Sequence, residues 1–240
     1  MTKLKTVPLP DIALTEELII KSLLKSDLAE HYPSSNLQEH FLITDIPQKI
    51  IGTSAHFPAA TVVFDLSGSS LNIRDNGAEK FAAEFQYIFK ILTDIIYTNK
   101  GIVEKFPGDG ISMHFPANHF GEEIAIKNAR NAIKEMLDVL TDLFEDEDED
   151  DKYRFTLTFG DDTIITAFGN DRHKELISIG HSVNVAHKLE KIVKDKNCLI
   201  GMDARCRKIV QGFFGDLQPY PLPDDLCRSE DTNNWFGVKY

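Results

Sequence analysis

The sequence predicts an α+β fold, an antiparallel sheet flanked by helices. Three observations carry that prediction. A short β-branched run at residues 59–64 has the character of a buried strand, and a tight Pro-Gly-Asp-Gly turn at 107–110 joins two apolar runs as a hairpin. Strands and long amphipathic helices are mixed along the chain without strict alternation, which favours an antiparallel sheet covered by helices over a doubly wound parallel one.

The elements follow in order. Leu14, Leu18, Ile19, Leu23, Leu24 and Leu28 recur at helical spacing, with Thr15 placed to cap the helix; residues 1–56 read as an N-terminal extension, a helix followed by a connector. Residues 57–240 read as the main domain. Its first strand, 59–64, ends in a Ser/Gly cluster. Phe81, Phe85, Ile88, Phe89, Leu92, Ile95 and Ile96 then mark one face of a helix that Asn99-Lys100-Gly101 terminates. Strands are expected at 102–106 and 111–115. A second helix over 122–144 carries Ile126, Ala129, Ile133, Met136, Leu137 and Leu140 as its apolar stripe. The acidic run 145–151 reads as a solvated loop. Residues 153–159 alternate like a half-buried strand, and strands at 163–168 and 176–179, a helix over 183–193, a strand at 198–200 and a helix over 203–210 follow. After a proline-rich stretch, residues 235–238 read as a last edge strand.

Composition limits the function classes. A net charge of −12 has the wrong sign for a duplex-binding protein, so no nucleic-acid partner is expected. No apolar run approaches the roughly 18 residues of a membrane span, and residues 1–10 lack the apolar core of a signal peptide, so no membrane partner is expected and the expected location is the cytoplasm. Cys198, Cys206 and Cys227 are spaced neither as a disulfide framework nor as a zinc site and read as buried thiols. The histidines form no HxxxH or HExxH pair.

Two aspartates sit where chemistry would want them. Asp65 ends the first buried strand and Asp109 occupies the hairpin tip. Either alone is an ordinary turn residue. On neighbouring strands, the two carboxylates can share one or two hard cations, Mg²⁺ or Mn²⁺, which take oxygen ligands together with substrate phosphates. Gly68, Ser69 and Ser70 follow directly, and small residues opening a helix expose backbone N–H groups that can cradle phosphate.

Four pieces in this order resemble the class III nucleotide cyclases: Phe64-Asp65-Leu66-Ser67-Gly68-Ser69-Ser70, Lys105-Phe106-Pro107-Gly108-Asp109-Gly110, a variant Gly-rich hairpin at 159–169, and Gly180-His181-Ser182-Val183-Asn184-Val185-Ala186. The resemblance covers about residues 59–210. It implies that Asp65, Asp109 and the Leu66 carbonyl bind two Mg²⁺ or Mn²⁺ ions, one activating a ribose 3′-hydroxyl and one holding the triphosphate. It implies that Asn184 orients the ribose from across a homodimer interface, giving two composite sites.

The sequence departs from the family pattern twice. Lys188 stands where the family has an arginine that steadies the α-phosphate; it keeps the charge and loses the planar fork. Lys105 matches the adenine-reading lysine, but its partner position holds Ile177, which cannot accept a hydrogen bond from an adenine amino group. Three readings stay open: an adenylate cyclase with relaxed base recognition, a silent nucleotide-binding sensor, and a pyrimidine cyclase. The chain is similar in architecture to the stand-alone pyrimidine cyclases of Pycsar anti-phage systems. That similarity implies cyclic UMP or cyclic CMP synthesis on phage infection, with the product read by a separate effector protein. A diguanylate-forming enzyme fits poorly, because Gly108-Asp109-Gly110 does not match that signature. Phe57, just ahead of the first strand, is a candidate for lining the base pocket; packing on the sheet is the alternative.

Overall fold

The computed structural model describes residues 52, 54–67, 73–75, 77–118, 120–144, 153–170, 172–227 and 234–239. The expected helix over 14–31, the acidic run and the phosphate-cradle residues Gly68, Ser69 and Ser70 lie outside them. The strands are β1 (Ser54–His56), β2 (Ala59–Leu66), β3 (Ile102–Lys105), β4 (Gly110–Pro116), β5 (Tyr153–Gly160), β6 (Ile164–Gly169), β7 (Lys174–Ile179), β8 (Cys198–Met202), β9 (Gln218–Pro221) and β10 (Asn234–Lys239). The helices are α1 (Ala78–Thr98), α2 (Glu122–Leu143), α3 (His181–Asp195) and α4 (Ala204–Val210). Among the described residues, no helix is long and apolar enough to cross a membrane.

Seven strands form one sheet in the order β3-β4-β2-β5-β8-β10-β9, antiparallel except for the parallel pair β5–β8. A smaller antiparallel sheet has the order β1-β6-β7. The strand period of two gives the large sheet two unlike faces. Ala60, Val62, Phe64 and Leu66 of β2, with Ile111, Met113, Phe115, Phe155, Leu157 and Phe159, pack on α1, α2 and α4 as the main apolar core. Alternate positions bring Thr61, Ser112, His114, Arg154, Thr156 and Thr158 to the opposite face, all of them fully buried. That polar face lies under α3. Thr156 and Thr158 donate to the α3 carbonyls of Ala186 (3.0 Å) and Ser182 (2.9 Å), so the helix is fixed to the strand by hydrogen bonds as well as by packing.

Three expectations are corrected. β5 is not half-buried: every residue is buried, because its threonines face α3 rather than solvent. The C-terminal strand is not an edge strand, since β10 lies between β8 and β9, and the proline-rich β9 forms the edge, where a missing N–H is tolerated. β3 ends at Lys105; Phe106 leaves the strand, is exposed, and stacks on Phe89 of α1 with ring centroids 5.2 Å apart. The α1 terminus falls as expected, although Lys100 rather than Gly101 takes the left-handed conformation (φ 65°). Gly101 is needed for space, as a Cβ there would come within 2.6 Å of the Phe115 ring.

Of the cysteines, Cys198 and Cys206 are buried and Cys227 is partly buried; all three are free thiols.

Candidate active site

The end of β2 gathers opposing charges. Asp65 pairs across the sheet with Gly110 of β4 on one side and Arg154 of β5 on the other. The Arg154 guanidinium is fully buried and donates from Nη1 to Asp65 Oδ2 at 3.0 Å and to Glu190 Oε1 of α3 at 3.4 Å, while Nη2 donates to Ser67 Oγ. A buried guanidinium requires such pairing. Burial pushes the Asp65 carboxyl up to about 7; the negative charges of Glu190 and Asp109 add to this and Arg154 opposes it.

Asp109 reaches this place through the hairpin. Gly110, the residue after it, approaches β2 so closely that a Cβ would lie 2.5 Å from the Phe64 carbonyl oxygen. Only glycine permits that approach. It sets the hairpin tip against the strand end that carries Asp65. Leu66 ends the strand with its side chain in the apolar core.

Among the described residues, no group of three or more His, Cys, Asp or Glu side chains forms a metal cage. What the strand end does present is clustered carboxylates: burial holds Asp65 well above the usual carboxylate range, and the charges of Glu190 and Asp109 add to it. Two carboxylates and a strand-end carbonyl, all hard oxygen donors, fit a divalent cation that completes its shell with substrate phosphate and water.

Asn184 and Lys188 are exposed, one helical turn apart on α3. Lys188 Nζ rests 3.1 Å from Asp225 Oδ2, in the short 3₁₀ turn Asp224–Leu226. Asn184 lies six residues before Glu190, about 9 Å of helix rise away from it along α3.

Lys105 and Ile177 sit on β3 and β7, strands of the two different sheets. Ile177 is half-buried and pairs with Thr166. Between the two strands lies a polar network that the sequence did not reveal. Glu104 accepts from the Ser178 backbone N–H (2.8 Å), the Ser178 hydroxyl (2.6 Å) and the Ser112 hydroxyl (2.8 Å), with His114 Nε2 at 3.4 Å. Because Ser112 donates to Glu104, His187 Nε2 of α3, 3.3 Å from the same hydroxyl, is the donor to it. Burial and the neighbouring Lys105 charge push the His187 pKa down, so the ring is neutral. Phe57 is not open to a ligand: it is fully buried, edge-on to His114, with its N–H bonded to the Thr163 carbonyl.

Arg154, Glu190, Glu104 and His187 are the residues that sequence reasoning missed. Arg154 had a signal, a lone cation inside a strand otherwise made of aromatic, aliphatic and threonine side chains. The others depend on register and helix docking, which one sequence does not display. A cavity at the far end of β5, lined by Gly160, His181, Val185, Leu189, Arg205 and Trp235 among others, contains none of the expected site residues.

No family model matches the chain, and no curated protein sequence matches it. Solved structures do. The adenylyl cyclase CyaB from P. aeruginosa is 16% identical over 78% of this chain and 97% of that one, with a TM-score of 0.61. The catalytic core of a rhodopsin-guanylyl cyclase with converted specificity, in complex with ATPαS, is 14% identical over 79% of this chain and 99% of that one, with a TM-score of 0.60. The dimeric guanylyl cyclase domain of a fusion protein from the aquatic fungus Blastocladiella emersonii is 11% identical over 78% and 99%, with a TM-score of 0.56. At such identities the likeness is one of fold, and the chain has the fold of the class III adenylyl and guanylyl cyclase domains.

Proposed function

We propose that this chain is a metal-dependent nucleotide cyclase that converts a pyrimidine nucleoside triphosphate, UTP or CTP, into its 3′,5′-cyclic monophosphate and diphosphate. The observation that carries the reading is the meeting of Asp65 and the Asp109 hairpin beside the buried Arg154. A strand end with surplus carboxylate charge next to a fixed guanidinium suits a polyphosphate–metal complex better than any neutral ligand. The fold is compatible with a nucleoside triphosphate, since one structural neighbour is in complex with ATPαS and another, from Catenaria anguillulae, with GTP; both are purines, so they support the triphosphate and not the choice of base.

Asp65, Asp109 and the Leu66 carbonyl would hold two Mg²⁺ or Mn²⁺ ions. When bound, the ions supply activation of the ribose 3′-hydroxyl and neutralisation of the triphosphate. Arg154 places a permanent positive charge at the phosphate end. Asn184 would orient the ribose. Lys188, released from Asp225, would steady the α-phosphate as the 3′-oxygen bonds to the α-phosphorus, its proton passes to solvent, and diphosphate departs with the electrons of the broken P–O bond. Asn184 and Lys188 face outward on α3, so they would serve the metal pair of a second copy, in a homodimer with two composite sites.

The choice of base rests on Ile177. A purine amino group facing it would lose its hydrogen bond, at a cost of about 1–3 kcal/mol. Uracil has no exocyclic amino group to leave unpaired, and either pyrimidine is smaller than a purine beside a half-buried isoleucine. The product would be a diffusible signal, read by a separate effector during phage infection, as in the Pycsar systems that the chain resembles in architecture.

The test is a set of four incubations of purified protein with ATP, GTP, CTP or UTP in Mn²⁺, with products separated by chromatography and identified by mass. Cyclic UMP or cyclic CMP is expected. Cyclic AMP would overturn the base argument and leave the reaction standing. Tight binding without any cyclic product would overturn catalysis and make the chain a silent nucleotide sensor.

A further inference from the structure

β3 meets β4 through an irregular register. Val103 lies opposite Met113 and Lys105 opposite Ser112, which leaves Glu104 as an extra residue. A bulge sets two consecutive residues against one partner and re-aims their side chains. Glu104 and Lys105 therefore turn to the same side, Lys105 Nζ lying 3.7 Å from Glu104 Oε1, where a regular strand would send them to opposite faces. The same carboxylate reaches the other sheet. Its Oε1 accepts both donors of Ser178, the residue next to Ile177, and its Oε2 accepts from Ser112, which His187 supports from α3.

We propose that Glu104 is the positioning residue for base selectivity, fixing the Lys105 ammonium and the β7 backbone beside Ile177 in one geometry. This rests on the reading of Lys105 and Ile177 as the base-facing pair. Two features argue for positioning over simple packing. The Glu104 side chain is only 4% exposed, yet it is ionised, and a glutamine of the same shape would fill the space without the charge. Moreover, its partners come from β3, β4 and β7, and Ser112 in turn contacts His187 of α3, so one carboxylate ties together the strands that carry Lys105 and Ile177 and reaches the helix of Asn184 through one hydroxyl. Without the carboxylate, the ammonium is free to follow whichever base offers an acceptor, and discrimination between bases falls.

The experiment compares wild type, E104Q, K105A and the double variant. Dissociation constants for ATP, GTP, CTP and UTP are measured by competition with a fluorescent nucleotide, and kcat/KM is measured for each triphosphate that turns over. In E104Q the ratio between the best and worst triphosphate is expected to fall about tenfold, whereas in the K105A background the same change should move it by less than about twofold, because the two residues act as one unit. Ser178→Ala, which removes the 2.6 Å donor, should shift the ratio in the same direction by less, and it tests the idea if E104Q does not fold. An E104Q ratio equal to wild type, or additive effects of E104Q and K105A, overturns the role of Glu104 and leaves the cyclase reading intact. A wild type that binds and cyclises none of the four overturns the cyclase reading itself.

Discussion

Glu104 and Asp65 are both withdrawn from water, and their surroundings push them in opposite directions. Burial alone would raise Glu104, but the adjacent His114 ring and hydrogen bonds from Ser178 outweigh it and hold the carboxyl far below the usual glutamate range. Asp65 is raised to about 7 by burial, with two anionic neighbours adding to the rise and its one strong donor, Arg154, opposing it. The sign for Glu104 follows from linkage. A carboxyl depressed in the folded state stabilises the fold fully above its unfolded value of 4.5, and that stabilisation is lost as pH falls below it toward the folded value. Urea titrations of wild type and E104Q should therefore differ most near neutral pH, with wild type the more stable, and converge as pH drops below 4.5. A gap that stays constant through that range would show that the charge contributes nothing. At this scale the sequence was informative where a residue type was unusual for its place, as with Asp65 at a strand end. It was silent on Glu104, which looks like an ordinary polar residue on an edge strand until a bulge turns it inward.

At the scale of elements, the hairpin joining β3 and β4 matters most. Its Pro-Gly-Asp-Gly turn was legible because few residues tolerate such geometry. The reason Gly110 is glycine was not legible, because it lies in the Phe64 carbonyl of another strand. Gly110→Ala should separate the hairpin from β2, costing about 1–3 kcal/mol by overpacking. Because the shift moves Asp109 away from Asp65, turnover should fall far more than the melting temperature suggests. Thermal unfolding and initial-rate assays on the same preparation check this, and a variant with normal turnover would place Asp109 outside the reaction. β5 teaches the complementary lesson. Alternating threonines read as a solvent-facing row, but Thr156 and Thr158 donate to α3 carbonyls, and a helix lies over what looked like the wet side.

At the scale of the whole molecule, the division of labour between copies is the main expectation. If each site draws Asp65 and Asp109 from one chain and Asn184 from the other, D65N and N184A chains are each inactive alone. Mixed in equal amounts and allowed to exchange, they form heterodimers in about half of all dimers, each with one intact site, so about a quarter of wild-type activity should return. No recovery, with exchange verified by mass, would confine the site to one chain. The α+β class was readable from patterning because long helices and β-branched runs are strong local signals. The order of the sheet was not. The β2–β5 and β5–β8 pairings join distant segments, and the interior place of β10 depends on β9, a four-residue edge strand with two prolines.

The ion pair between Asp65 and Arg154 spans 89 positions of the chain. Contacts of such separation form late, after the loop between them has closed. During synthesis at about 5–20 residues per second, roughly 4–18 seconds pass between the making of Asp65 and of its arginine. Throughout that interval its carboxylate lacks this partner. If Asp65 acts as proposed, a chain truncated before β5 lacks the arginine that fixes it and is expected to show no cyclase activity.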